Sequence, residues 1–319
     1  MSTQIWQKEL LRSIRSLTEL KAQLTVDLPY PVNTNFPIKI TPLYFSLINK
    51  NNPYDPLLLQ VISPKVDALS DFSEAPLKEL EFNPLPGLLH KYAGRVLVML
   101  TGACMIHCQY CFRQHFSYQD QSISKLHWQN IINYIKNDVS IFEVILSGGD
   151  PLVANNNMLK KTIDSLANIA HLTTVRIHTR VPSVLPNRID NGLLEIFSQS
   201  KLKIILVTHI NHPNELCDEN MAKIDLLSKK TTLLNQSVLL HKVNDNYDTL
   251  AQLSKQLIQG NIMPYYLHQL DPVSGAEFYN VSDTKACEIH QQLVSQLPGY
   301  MVPKLVREIP DRKSKSALT

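Results

Sequence analysis

The chain has 319 residues, 44% of them hydrophobic and 18% charged, with a formal net charge of +3. That length can bury the core of one large α/β domain or two smaller ones. So small a charge, with no basic stripe interleaved with aromatics, argues against a nucleic-acid partner. The absence of any run of about 18 apolar residues argues against a membrane span.

Residues 1–20 carry charges throughout and have no apolar stretch of signal-peptide length, so a cytoplasmic protein is expected. Apolar residues at Leu10, Leu11, Ile14, Leu17 and Leu20 have helical spacing, which predicts an amphipathic helix over residues 7–24. Proline-rich turns come next, then a second short helix over 43–48 that ends in NKNNPYDP. Residues 1–90 therefore read as a mostly helical, partly irregular N-terminal extension, ahead of a main domain over 91–319.

From residue 95 the pattern alternates. Short apolar, β-branched runs fall at 95–101, 143–147, 174–179, 203–208, 232–239 and 263–268, with a possible seventh at 302–306. Helical periodicity fills the intervals at 128–135, 158–169, 193–197, 221–227, 250–258 and 284–297. Strands alternating with helices imply βαβ units and a parallel sheet, an α/β fold whose ligands gather at the carboxyl ends of the strands.

The first of those strands leads into ACMIHCQYCFRQHF, which sets Cys104, Cys108 and Cys111 in a C-x3-C-x2-C pattern. Thiolates at such close spacing hold iron–sulfur clusters. A [4Fe–4S] cubane has four irons, so three cysteines leave one iron open. A zinc site completed by His107 or His115 is the rival reading, although zinc sites more often pair C-x2-C with a distant second pair. Cys217 and Cys287 stand alone and read as core residues. With Tyr110 in the aromatic slot, the pattern resembles the signature of radical S-adenosylmethionine (SAM) enzymes, in which SAM chelates the open iron. That resemblance implies an open (β/α)6 partial barrel, with a flat doubly wound sheet as the alternative. It also makes the Ser147, Gly148, Gly149, Asp150 turn after the second strand similar to the segment that holds the methionyl end of SAM.

LLHKY, CFRQHF, SGGDPL, THINHPNE, LLNQSVLL, PYYLHQLD and GYMVPKLVREI occur in that order across residues 88–309. Together they resemble the lysine 2,3-aminomutase family, most closely its branch that makes (R)-β-lysine for modification of elongation factor P. The resemblance implies a second cofactor, pyridoxal 5′-phosphate (PLP), held as a Schiff base by Lys315 in a Ser-Lys-Ser string. Pro310, Asp311, Arg312 and Lys313 stand where relatives carry a glycine-rich loop, which leaves Lys313 a lesser candidate. By the same likeness Lys91, Tyr92 and Arg95 hold PLP and its phosphate, and His209 and Gln236 lie near SAM and PLP. Arg113 receives the substrate α-carboxylate, and Asp271 and Glu308 receive its ε-ammonium. His178, His212 and His268 are expected to be structural.

The resemblance thus implies an L-lysine 2,3-aminomutase that works through a 5′-deoxyadenosyl radical and draws electrons from a flavodoxin or ferredoxin type donor. Its product would reach elongation factor P through the lysyl ligase that acts on it. A catabolic aminomutase is the alternative, and a non-catalytic iron–sulfur protein a remote one.

Overall fold

A computed structural model describes residues 4–318. The apolar runs form one nine-stranded sheet: β3 (Leu88–Tyr92), β4 (Arg95–Thr101), β5 (Glu143–Gly148), β6 (Thr174–Thr179), β7 (Lys203–Thr208), β8 (Thr232–Val238), β9 (Ile262–His268), β10 (Lys304–Arg307) and β11 (Ser316–Ala317). The shorter β1 (Val32–Asn33) and β2 (Ser63–Pro64) form a separate antiparallel ladder. In the main sheet the spatial order is the chain order, β11-β10-β9-β8-β7-β6-β5-β4-β3. Pairs from β4 to β10 are parallel, and the outermost strands on each side pair antiparallel with their neighbours.

A strand order that never reverses has no switch point, which excludes the doubly wound alternative. The sheet instead curls. Lys91 on β3 donates to Glu308, just past β10, at 2.5 Å, although these strands lie at opposite ends of the sheet. The result is the open barrel that the family resemblance implies.

Helices α5 (Lys125–Asn137), α6 (Asn156–Ala167), α8 (Asn191–Gln199), α9 (Asp218–Ser228), α10 (Tyr247–Gln259) and α11 (Asp283–Gln296) fill the crossovers, with a one-turn α7 (Val181–Val184) after β6. Side-chain alternation along each strand sorts the two faces of the sheet. Val98, Leu146, Ile177, Leu206, Leu233 and Ile262 share one register row and are buried in the apolar core. The neighbouring row, Leu97, Ile145, Arg176 and Ile205, faces the barrel interior.

The single helix expected over 7–24 is two, α1 (Ile5–Leu11) and α2 (Leu17–Lys21). The break is set by Ile14, whose backbone exchanges hydrogen bonds with Ile40, and by Ser16, whose hydroxyl caps α2 by accepting from the Glu19 N–H. With α3 (Pro42–Leu47) and α4 (Leu58–Val61), these helices bury Trp6, Leu20, Tyr44 and Leu58 in the same apolar core as the strands. Among the described residues no helix is long and apolar enough to cross a membrane.

Candidate active site

The barrel interior is a cavity of about 900 Å³ lined by residues from β3 through β10 and the loops at their carboxyl ends. Cys104, Cys108 and Cys111 form part of one wall, directly after β4. Their loop is fixed from two sides. On the barrel side, the Gly149 N–H donates to Thr101 O at 2.7 Å and the Asp150 N–H to Ala103 O at 2.8 Å. Both glycines are obligatory there: Gly148 has φ +108, and a Cβ on Gly149 would lie 2.3 Å from Ala103 O. On the other side the N-terminal segment grips the loop, Lys39 Nζ donating to Cys104 O at 2.6 Å and the Gln109 N–H to Gln60 O at 3.0 Å.

Burial pushes the Cys104 thiol up, and burial with the neighbouring Cys108 pushes Cys111 to about 12. Arg180, just past β6, donates to Cys108 Sγ at 2.7 Å, and its other amino group reaches Gln60 at 2.6 Å and Glu215 at 3.0 Å. The buried Tyr110 hydroxyl joins the same network, accepting from Asn211 at 2.7 Å. Asp150 accepts from the Thr179 hydroxyl and from the N–H groups of Arg180 and Leu152, which ties the Gly-Gly turn to β6. His209 faces the cavity with a buried, unpartnered Nε2, and burial lowers it to about 3, so the ring is a neutral group with a free position. His107 and His115, the alternative zinc ligands, turn to the carbonyls of Pro37 and Ser274.

A second cluster of charge lines the same cavity. Glu308 accepts from Lys91 at 2.5 Å, from the Tyr92 hydroxyl, and from Lys315 at 2.6 Å. Burial opposes its ionisation, but Lys315 and these hydrogen bonds hold its carboxyl at about 2. The Arg95 guanidinium stacks over the Tyr92 ring at 4.7 Å. Lys315 lines the cavity just before β11, whereas Lys313 is exposed and outside it. Asp271 is different from Glu308: its side chain has no hydrogen-bond partner among the described residues, and burial pushes it to about 7. Gln236 on β8 also faces the cavity. Arg113 lies between the two clusters, and its partners are Glu79, Ser147 and the Gly148 carbonyl.

Residues 93–179 match the 4Fe-4S single cluster domain family. A protein of Buchnera aphidicola subsp. Baizongia pistaciae named L-lysine 2,3-aminomutase is 43% identical over 96% of this chain and 90% of its own length. The Escherichia coli K12 protein of that name is 43% identical over 89% and 83%. The chain belongs to the L-lysine 2,3-aminomutase family. The family's Clostridium subterminale member, also named L-lysine 2,3-aminomutase, is 37% identical over 87% of this chain and 67% of its own. A solved structure of TYW1 with a lysine-pyruvate adduct bound aligns over 88% of each chain at a TM-score of 0.39 and 10% identity, too loose a likeness to bear on the site. Membership of that family makes the protein an isomerase, and its central segment is a 4Fe–4S domain.

For this aminomutase fold, several cavity residues escaped the sequence reading. His178 and His268, expected as structural, line the interior, and His178 Nε2 is buried without a partner. Strand parity could have shown it: Arg176 and His178 alternate with the buried Val175 and Ile177. Arg176 pairs with Glu143 at 2.7 Å, both lining the cavity. Glu79, Arg180 and Glu215 belong to no spacing pattern and come to the site only through the fold.

Proposed function

We propose that this chain converts L-lysine to (R)-β-lysine and supplies it for modification of elongation factor P through that factor's lysyl ligase. One observation carries the reading: a single cavity is lined by three cysteines, a lysine amine, a guanidinium and an unpaired carboxyl. When bound, the cluster and SAM supply a 5′-deoxyadenosyl radical that takes and returns a β-hydrogen, and PLP carries the migrating amino group.

In this reading Cys104, Cys108 and Cys111 hold the cluster, a donor set of three adjacent thiols that fits iron–sulfur ligation. The Ser147, Gly148, Gly149, Asp150 turn sets the SAM end of the cavity, with Tyr110 buried behind the cysteines, and electrons come from a flavodoxin or ferredoxin type donor. His209, its Nε2 free, and Gln236 contact the cofactors. Lys315 offers PLP its amine, and Lys91, Tyr92 and Arg95 form a cationic, hydrogen-bonding wall suited to its phosphate. Arg113 orients the substrate through its α-carboxylate. Asp271 receives the ε-ammonium, with Glu308 adding negative charge at the same end of the cavity. An incoming ammonium stabilises the ionised form of a carboxyl poised near neutrality, so Asp271 discriminates for a cationic side chain. The same two acids would repel a glutamate side chain.

Anaerobic incubation of the reconstituted protein with SAM, PLP, dithionite and L-lysine, followed by chiral analysis, tests the proposal. (R)-β-lysine is the expected product. The (S) enantiomer would move the chain to lysine catabolism, and untouched lysine would overturn the substrate assignment.

A further inference from the structure

Residues 65–83 run as a strap that gives Leu77, Glu79 and Phe82 to the lining of the cavity, and residues 65–71 are exposed throughout. The strap is held by Ser73, whose backbone exchanges hydrogen bonds with Pro272 and Ser274, and by Phe82 beneath the Lys91 ammonium at 5.5 Å. Its third tie is an ion pair. Glu79 opens the 3-10 helix Glu79–Phe82, and its two carboxylate oxygens take the Arg113 Nε and Nη2 hydrogens at 2.7 and 2.6 Å. Lys78, immediately before it, has a left-handed backbone at φ 47, a conformation that side chains other than glycine rarely adopt.

A guanidinium has five N–H donors arranged along its edges, and a carboxylate is gripped best by two parallel donors on one edge. Glu79 occupies the Nε/Nη2 edge. Nη1 is committed to Ser147 Oγ at 3.3 Å and Gly148 O at 3.1 Å, so the second edge is also closed. A single Nη2 hydrogen is left. A second carboxylate therefore finds no fork on Arg113 and would meet the charge of Glu79 beside it.

We propose that Glu79 is an internal carboxylate that holds Arg113 until the α-carboxylate of the substrate replaces it, so that substrate loading and release of the strap are one event. The proposal rests on the reading of Arg113 as the substrate's carboxylate receiver. It makes Glu79 a specificity-determining residue: a diamine of the same length, lacking a carboxylate, leaves the pair closed. It also makes apparent lysine affinity the intrinsic affinity reduced by the fraction of molecules with Arg113 free.

The test is lysine binding to the protein loaded with cluster, PLP and SAM but no reductant, so that nothing turns over. Glu79→Ala removes the competitor and should tighten lysine roughly tenfold. Glu79→Gln keeps the side-chain volume, guards against a folding defect, and should shift affinity in the same direction by less. Acetate should compete with lysine in Glu79→Ala and not in the wild type, because only the variant has an empty fork. Trypsin should cut after Lys78 faster in wild type saturated with lysine, and at a lysine-independent rate in Glu79→Ala. Equal or weaker lysine binding in both Glu79 variants, with binding still lost in Arg113→Ala, would refute the exchange and leave the Arg113 assignment standing. Unchanged binding in Arg113→Ala would remove that assignment and the exchange with it.

Discussion

Gly149→Ala is the substitution for which the geometry gives the sharpest outcome. The added methyl carbon would lie 2.3 Å from the carbonyl oxygen of Ala103, 2.7 Å from its carbonyl carbon and 2.8 Å from that of Gly102. Non-bonded carbons settle at about 3.5–4.0 Å, so the two chains must part by about 1 Å. Every atom in the clash is backbone, and none can swing aside. The parting strains two hydrogen bonds, Gly149 N–H to Thr101 O and Asp150 N–H to Ala103 O, each worth about 1 kcal/mol. Overpacking adds about 1–3 kcal/mol, for a destabilisation of about 3–5 kcal/mol. Because Ala103 directly precedes Cys104, the same displacement moves the first thiol, and a misplacement of about 1 Å costs on the order of a hundredfold in rate. Urea unfolding of the apoprotein, iron and sulfide content after reconstitution, and turnover measure the three consequences. Gly299→Ala, with nothing within 4 Å of its Cβ, is the control and should be neutral. A Gly149→Ala protein with normal stability, full iron content and normal turnover would refute the reasoning.

Asp271, pushed up to about 7 by burial, with Lys315 and Lys91 opposing and Glu308 and Glu79 adding to the rise, is neutral below that pH and anionic above it. Lysine affinity should therefore rise with pH through about 7, with proton release on binding, and Asp271→Asn should flatten the profile. Glu308 runs the other way: held at about 2, it stabilises the fold fully above the ordinary carboxyl range and loses that contribution as pH falls toward about 2. Glu308→Gln removes roughly 3 kcal/mol at neutral pH, measured by urea unfolding, and leaves less acid sensitivity behind. Borohydride treatment of the PLP-loaded protein should fix PLP on the tryptic peptide carrying Lys315; label on Lys313 would move the assignment.

The parallel strands were readable because they are short β-branched runs separated by helical periods, with β4, β6 and β7 falling where the runs do; their closure into a barrel came from the family resemblance. LLHKY stood out as a string and not as a strand, since only its first two residues are buried and its pairing partner is the strand after it. The tail RKSKSALT looks frayed by composition, and it is the pairing of Ser316 and Ala317 with β10 that anchors it beside the cavity. The continuous apolar period over residues 7–24 concealed the break that Ile14 makes by bridging to Ile40, a tertiary contact. The cysteine loop was visible because its chemistry depends on local spacing, whereas the roles of the glycine turn and of Lys315 came from the family resemblance. The Arg113 pairing with Glu79 joins residues 34 apart, and the Arg180 contact with Cys108 spans 72. Such contacts depend on how strand ends converge and leave no periodic mark in the chain.

The most direct test of the proposed chemistry uses L-lysine deuterated at its β-carbon, turned over anaerobically with SAM, PLP and dithionite. The account predicts deuterium in 5′-deoxyadenosine and at the α-carbon of the β-lysine formed. SAM cleavage with no deuterium in the deoxyadenosine, or β-lysine formed without any transfer of label, would contradict it.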